Sequence, residues 1–101
     1  MNILEQERAL RRHREDQEGL EFTTRILEAR GYRINNITPR ITELCVCVKW
    51  WADQGVKSCN DRSNDLQTTE EWMADLRIIS IRTEDCLNKL IQEREVVRIS
   101  Q

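Results

Sequence analysis

Four cysteines and one histidine are the residues whose chemistry could build a reactive or metal-binding site. Cys45 and Cys47 stand two apart, whereas the others are single: Cys59, Cys86 and His13. Structural zinc sites usually contain two close pairs of ligands, whose loops let the sulfur atoms converge on one ion. On a helix, side chains two residues apart diverge by about 200°, and only on a strand would they share a face. We therefore expect no metal and no cofactor, and we interpret the cysteines as free thiols, several of them buried.

Nucleophilic catalysis would require a base beside a cysteine or serine, and His13 is the one candidate. It lies in the segment 5–18, which is almost wholly charged and offers no apolar pocket to hold an imidazole. The chain has no glycine-rich phosphate loop, no HExxH helix and no GxSxG elbow. The neighbouring carboxylates Glu70 and Glu71 are explained by a helix start, whose dipole favours negative charge. We predict that the protein is not an enzyme.

The segment 38–52 carries two apolar faces, although a core requires only one. On a helix, six of its residues fall at the spacing of a buried stripe: Ile41, Leu44, Cys45, Val48, Trp51 and Ala52. Val46 and Trp50 are four residues apart and point to the other side. A partner surface would explain them, since tryptophan and arginine are frequent interface anchors. The alternative is that Trp50 packs beneath the N-terminal helix of the same chain.

From these residue types we predict a partner-binding surface on two parts of the chain. The second helix would contribute Val46, Cys47 and Trp50, and the N-terminal helix would contribute Arg8, Arg11, Arg12 and Arg14.

The N-terminal third of the chain predicts one long helix. Residues 2–30 are mostly strong helix formers, and Gly31 is a plausible C-terminal stop. Residues 1–19 hold four arginines against five acids and few apolar side chains. We therefore predict that they form a projecting or partly disordered helix.

Two further helix starts are recognisable. Thr38 and Pro39 combine an N-cap with a proline at the first helical position, and Thr68 forms a capping box with Glu71. Between the helices we expect a short link over residues 32–37 and a loop over residues 55–67, where asparagine, aspartate and serine dominate. Residues 96–99 would extend the last helix or fray.

These elements predict a mainly α fold, a small three-helix antiparallel bundle in a single domain of residues 1–101. One alternative stays open. Residues 43–51 are rich in β-branched and aromatic side chains, so an α+β fold with a strand there is also compatible with the pattern.

The composition excludes several kinds of function. A chain of 101 residues is long enough for one modest core. Its net charge of −2 gives little long-range attraction to nucleic acid or to an anionic membrane. No apolar run approaches the roughly 18 residues of a membrane span, and the charged N-terminus is unlike a signal peptide. We expect a cytoplasmic protein without a membrane partner.

Together, these expectations favour a non-catalytic protein-binding module, a small adaptor or inhibitor that acts on a larger host protein or complex. A homodimer that uses the same surface is also possible. In general character, a short, charged chain without catalytic motifs resembles the accessory proteins with which phages bind host machinery.

The alternative is a helix-turn-helix-like DNA-binding regulator made of residues 20–30 and 39–52. Its recognition helix would begin at Arg40, Thr42 and Glu43. The predicted turn, however, is about twice the usual three or four residues, and direct nucleic-acid binding is therefore disfavoured.

Overall fold

The first helix, α1, spans Ile3–Ala29 in a computed structural model that describes residues 2–61 and 68–99. It begins where the Asn2 side chain accepts a hydrogen bond from the Glu5 backbone N–H at 2.8 Å. It ends before Gly31, whose φ of 87° is the left-handed conformation that a glycine adopts without a steric penalty. The predicted helix and its glycine stop are confirmed.

The second and third helices, α2 (Pro39–Asp61) and α3 (Thr69–Ile91), begin at the two predicted caps. The Thr38 hydroxyl accepts from the Ile41 N–H at 3.2 Å, and the Thr68 hydroxyl accepts from the Glu71 N–H at 3.1 Å. Residues 43–51 lie inside α2, so the prediction of a helix there is confirmed over the alternative of a strand.

The prediction of a loop over residues 55–67 is wrong for its first part, because α2 continues to Asp61. The physical reason is packing against α3. At Gly55 the two helices are close, since an added Cβ would lie 3.5 Å from the Ile79 Cγ2, and this approach to α3 favours a helix where the local propensity is weak. Residues 62–67 lie outside the described residues.

Two short strands, β1 (Tyr32–Ile34) and β2 (Val96–Arg98), form an antiparallel pair with Arg33 opposite Val97. The pairing is extended by two backbone hydrogen bonds, from Asn35 N–H to Glu95 C=O at 2.7 Å and from Ile99 N–H to Gly31 C=O at 2.8 Å. The predictions of a structureless link at residues 32–34 and of a helical or frayed end at 96–99 are therefore wrong. Each β-prone stretch gains its hydrogen bonds from the other, which local patterns do not reveal.

The hydrophobic core lies where the second half of α1 meets the first half of α2, the last turns of α3 and β2. Its buried members are Leu27, Ile41, Leu44, Cys45, Val48, Cys86, Leu87, Leu90 and Val96. The fold is thus a helical bundle closed at one end by a two-stranded sheet, and the mainly α prediction is confirmed. In the described ranges, no helix combines the length and the apolar character that crossing a membrane requires.

Candidate partner-binding surface

The N-terminal half of α1, residues 3–18, extends away from the core, and we call it the charged arm. All its residues except Asp16 are exposed, and Ile3 and Leu10 keep 73% and 65% of their accessible surface. Nine of its 16 side chains carry a charge: Glu5, Glu7, Arg8, Arg11, Arg12, Arg14, Glu15, Asp16 and Glu18. The arm therefore presents its side chains to solvent.

Gly19 is the point at which α1 docks onto α2, and it fixes where the arm leaves the bundle. A Cβ atom built on Gly19 would stand 2.9 Å from the Val46 Cα and 3.0 Å from the Val46 backbone nitrogen. One turn later the buried Thr23 donates its hydroxyl hydrogen to the Cys45 carbonyl at 3.0 Å. Small residues thus let the two helix backbones approach closely, and the arm begins directly before this crossing.

A groove of about 780 Å³ runs between the end of the arm and the start of α2, and we call it the arm groove. Its lining residues are Arg12, Glu15, Asp16, Ile37, Thr38, Pro39, Thr42, Glu43 and Val46. Three carboxylates against one guanidinium make the groove negative, while the isoleucine, proline and valine supply apolar contact. Such a surface is complementary to a segment that carries basic and apolar side chains.

Trp50 lies one helical turn after Val46 on α2 and keeps 53% of its surface exposed. Its ring meets the ring of the half-buried Trp51 edge to face, with centroids 4.8 Å apart and an interplanar angle of 86°. Next to it, Lys49 and Asp53 form an ion pair at 2.7 Å. Trp50 thus points outward, as predicted, and its contact with Trp51 reduces the freedom that binding would have to restrict.

The other two predicted α2 residues also contact neighbouring helices. Val46 is half-buried beneath Gly19, so it serves the helix crossing and also forms part of the arm groove. Cys47 faces α3, where its Sγ lies 2.9 Å from the Sγ of Cys86. Cys47 therefore lies on the side of α2 that packs against α3, about 60° around the helix from Trp50, and its role in a partner surface stays a prediction.

The predicted arginines all lie on the charged arm and are exposed: Arg8, Arg11, Arg12 and Arg14. Arg8, Arg11 and Arg12 share one helical face, because residues three and four apart are neighbours. Arg12 is the member that reaches the arm groove, whereas Arg14 points elsewhere.

Ile37 and Glu43 line the arm groove but were not among the predicted partner-binding residues. Ile37 is 61% exposed, although it precedes the helix cap at a position where an isoleucine often packs against the first turn. Its position before the Thr38 cap was the available sequence signal for Ile37. The sequence alone, however, does not show that α1 passes beside this residue.

Apart from the contact between Cys47 and Cys86, the cysteines and the histidine are dispersed. Burial raises the pKa of the Cys45 thiol to about 11, Cys59 is exposed, and His13 lies in a shallow depression of the charged arm with Arg8 and Arg12. Within residues 2–61 and 68–99, no three histidine, cysteine or carboxylate side chains are grouped to hold a metal ion.

The chain matches no protein-family model, no curated protein and no solved structure. The candidate partner-binding surface has three parts: the charged arm, the negative arm groove and the exposed indole of Trp50.

Proposed function

We propose that this protein is a non-catalytic protein-binding module, an adaptor or inhibitor that occupies the surface of a larger protein. The charged arm and the arm groove form the contact, and Trp50 is its aromatic anchor. The arginines of the arm and the indole are the residue types that most often supply binding energy at interfaces.

The observation that carries this proposal is the exposure of the charged arm. Helices in proteins are stabilised mostly by the packing of an apolar face, and no residue of the arm before Gly19 is buried. The arm is continuous with the docked half of α1, which fixes its direction while its side chains remain exposed. A helix presented in this way can bind a groove or a second helix with little loss of backbone freedom.

The charges indicate what the partner surface should look like. Arg8, Arg11 and Arg12 would pair with carboxylates, whereas the arm groove, with Glu43 at its α2 side, would accept basic side chains. A partner of mixed charge satisfies both, and mispaired partners are rejected by like-charge repulsion.

The connection between α1 and α2 argues against the helix-turn-helix alternative. It runs over residues 30–38 and contains β1, whereas a helix-turn-helix joins its helices by about three or four residues. The carboxylates of the arm groove would also repel a phosphate backbone.

Affinity capture with matched variants tests the proposal. The wild-type chain, Trp50→Ala and a charge-reversed arm (Arg8→Glu, Arg11→Glu) would be compared with Ile78→Ala, which removes an equally exposed side chain (54%) from α3. We expect one protein to be retained by the wild type and by Ile78→Ala and lost by the other two variants. Circular dichroism would verify that all four chains are folded.

Two outcomes count against the proposal. One is a captured protein whose recovery is equal for all variants, which would place the contact elsewhere. The other is recovery of nucleic acid that nuclease removes, which would favour the DNA-binding alternative.

A further inference from the structure

Two thiols from different helices are in direct contact inside the bundle. The Sγ atoms of Cys47 on α2 and Cys86 on α3 lie 2.9 Å apart, close enough for one thiol to donate a hydrogen bond to the other. The two residues are 39 positions apart in sequence, so this contact is created by the packing of α2 on α3. The function proposed above makes no use of it.

The two sulfur atoms are close to bonding distance. A disulfide requires an S–S distance of roughly 2.0 Å, so the sulfur atoms need to approach each other by only about 1 Å. Cys47 and Cys86 lie at the edge of the core, the first half-buried and the second only 6% exposed. A reagent from solvent therefore meets Cys47 first.

We propose that Cys47 and Cys86 form a dithiol–disulfide site whose oxidant is a low-molecular-weight disulfide such as glutathione disulfide. The Cys47 thiolate attacks one sulfur of the oxidant, which breaks its S–S bond, gives a mixed disulfide on Cys47 and releases one thiolate. The Cys86 thiolate then attacks the Cys47 sulfur, and a second thiolate leaves. The protein loses two electrons and two protons, and the oxidant takes them up as two thiols.

The surroundings of Cys86 assign this order. Burial, followed by the hydrogen bond and charge of Cys47, raises the pKa of Cys86 to about 11. A protonated buried thiol is a poor first nucleophile, whereas it is already placed against the sulfur that it must attack second. Cys86 is thus the resolving cysteine.

The other two cysteines provide internal controls. Cys45 is fully buried and faces α1, where its carbonyl accepts from Thr23. Cys59 is exposed and would collect a mixed disulfide that nothing resolves, so Cys59→Ser is the proper background for the experiment.

The test is oxidation of the folded Cys59→Ser chain by glutathione disulfide, followed by alkylation and mass spectrometry. We expect a product two hydrogens lighter than the reduced chain, with Cys47 joined to Cys86. Cys45 and Cys47 share one tryptic peptide, so the variant Cys45→Ser in the same background shows which of them is bonded. It should give the same product. The melting temperature should rise by at least ~5 °C and return with dithiothreitol, since the crosslink restricts the unfolded chain.

Cys86→Ala should stop the reaction at a stable glutathione adduct on Cys47, and Cys47→Ala should leave Cys86 reduced. Circular dichroism of each variant verifies that its fold is intact, and fragment ions that separate Cys45 from Cys47 in the product of the Cys59→Ser chain give the answer even if a core variant is unstable. The proposal is refuted if both thiols remain open to alkylation in the oxidised sample. Separate glutathione adducts on Cys47 and Cys86 would refute it equally.

Discussion

Replacing Gly19 with alanine is expected to destabilise the protein, although alanine is the better helix former. The new Cβ would lie 2.9 Å from the Val46 Cα and 3.0 Å from both its backbone nitrogen and its Cγ2. Two of these three atoms belong to the α2 backbone, which cannot rotate away as a flexible side chain would. The helices must therefore separate at their crossing.

The magnitude follows from two opposing effects. Inserting a methyl group into a tightly packed contact costs about 1–3 kcal/mol, and a clash with backbone atoms places the cost toward the upper end. Alanine in place of glycine inside a helix returns about 1 kcal/mol. The net loss in the free energy of unfolding should be about 1–2 kcal/mol, which lowers the melting temperature by roughly 4–16 °C in a domain of this size.

Gly55→Ala is the matched control, because it makes the same exchange inside α2. There the added Cβ would find the Ile79 Cγ2 at 3.5 Å, an ordinary van der Waals distance. The propensity gain should remain unopposed, and the variant should be more stable by up to about 1 kcal/mol. Urea denaturation followed by circular dichroism gives both free energies on one scale.

The signs of the two changes in the free energy of unfolding test the helix contacts assigned to Gly19 and Gly55. If Gly19→Ala is as stable as the wild type or more stable, α1 does not cross α2 at this residue, and the origin assigned to the charged arm is wrong. If Gly55→Ala destabilises instead, the extension of α2 beyond residue 55 is in question.

Three further outcomes are expected. Thr23→Val should cost about 1 kcal/mol in urea denaturation, because a buried methyl replaces the hydroxyl that donates to the Cys45 carbonyl. Glu84→Gln should cost less than about 1 kcal/mol at pH 7, since the bidentate pair with Arg30 is exposed. Its hydrogen bond with Arg30 lowers the pKa of Glu84, so the stabilisation is present above the unfolded-state pKa. The difference between wild type and variant should begin to shrink as the pH falls below the ordinary glutamate pKa of about 4.3, and it should disappear only below the lowered pKa of Glu84. Trp50→Ala should shift the melting temperature by no more than a few degrees, and a large loss would show that the indole is part of the core.

The helix starts could be predicted because their causes are local. The Thr38 and Thr68 hydroxyls satisfy backbone N–H groups three residues away, and Gly31 adopts a conformation that other residues avoid. Each signal lies within four residues of the structure that it determines. The outward direction of Trp50 was predictable for the same reason, since helical periodicity alone places it opposite the stripe that contains Val48.

The features that were missed depend on segments far apart in sequence. The pairing of β1 with β2 joins Tyr32 to Arg98, and neither three-residue strand would be stable without the other. The end of α2 was hidden in the same way, since the composition of residues 55–61 is typical of a loop and the approach of α2 to α3 at Gly55 cannot be read from it. Tyr32–Ile34 and Val96–Ile99 are both rich in β-prone residues, and their shared preference was the one signal available.

The cysteines show how helical periodicity and the packing of the helices together determine which side chains meet. Helical periodicity correctly separates Cys45 from Cys47, because side chains two residues apart on a helix diverge by about 200°. The first then contacts α1 and the second contacts α3. Which thiol meets Cys47 is decided by how α2 and α3 are aligned, and that alignment depends on the apolar side chains that pack between them. The close spacing of Cys45 and Cys47 in the sequence thus does not identify the thiols that meet, whereas the packing of the core brings Cys47 to Cys86, and the chemistry of that pair can be tested.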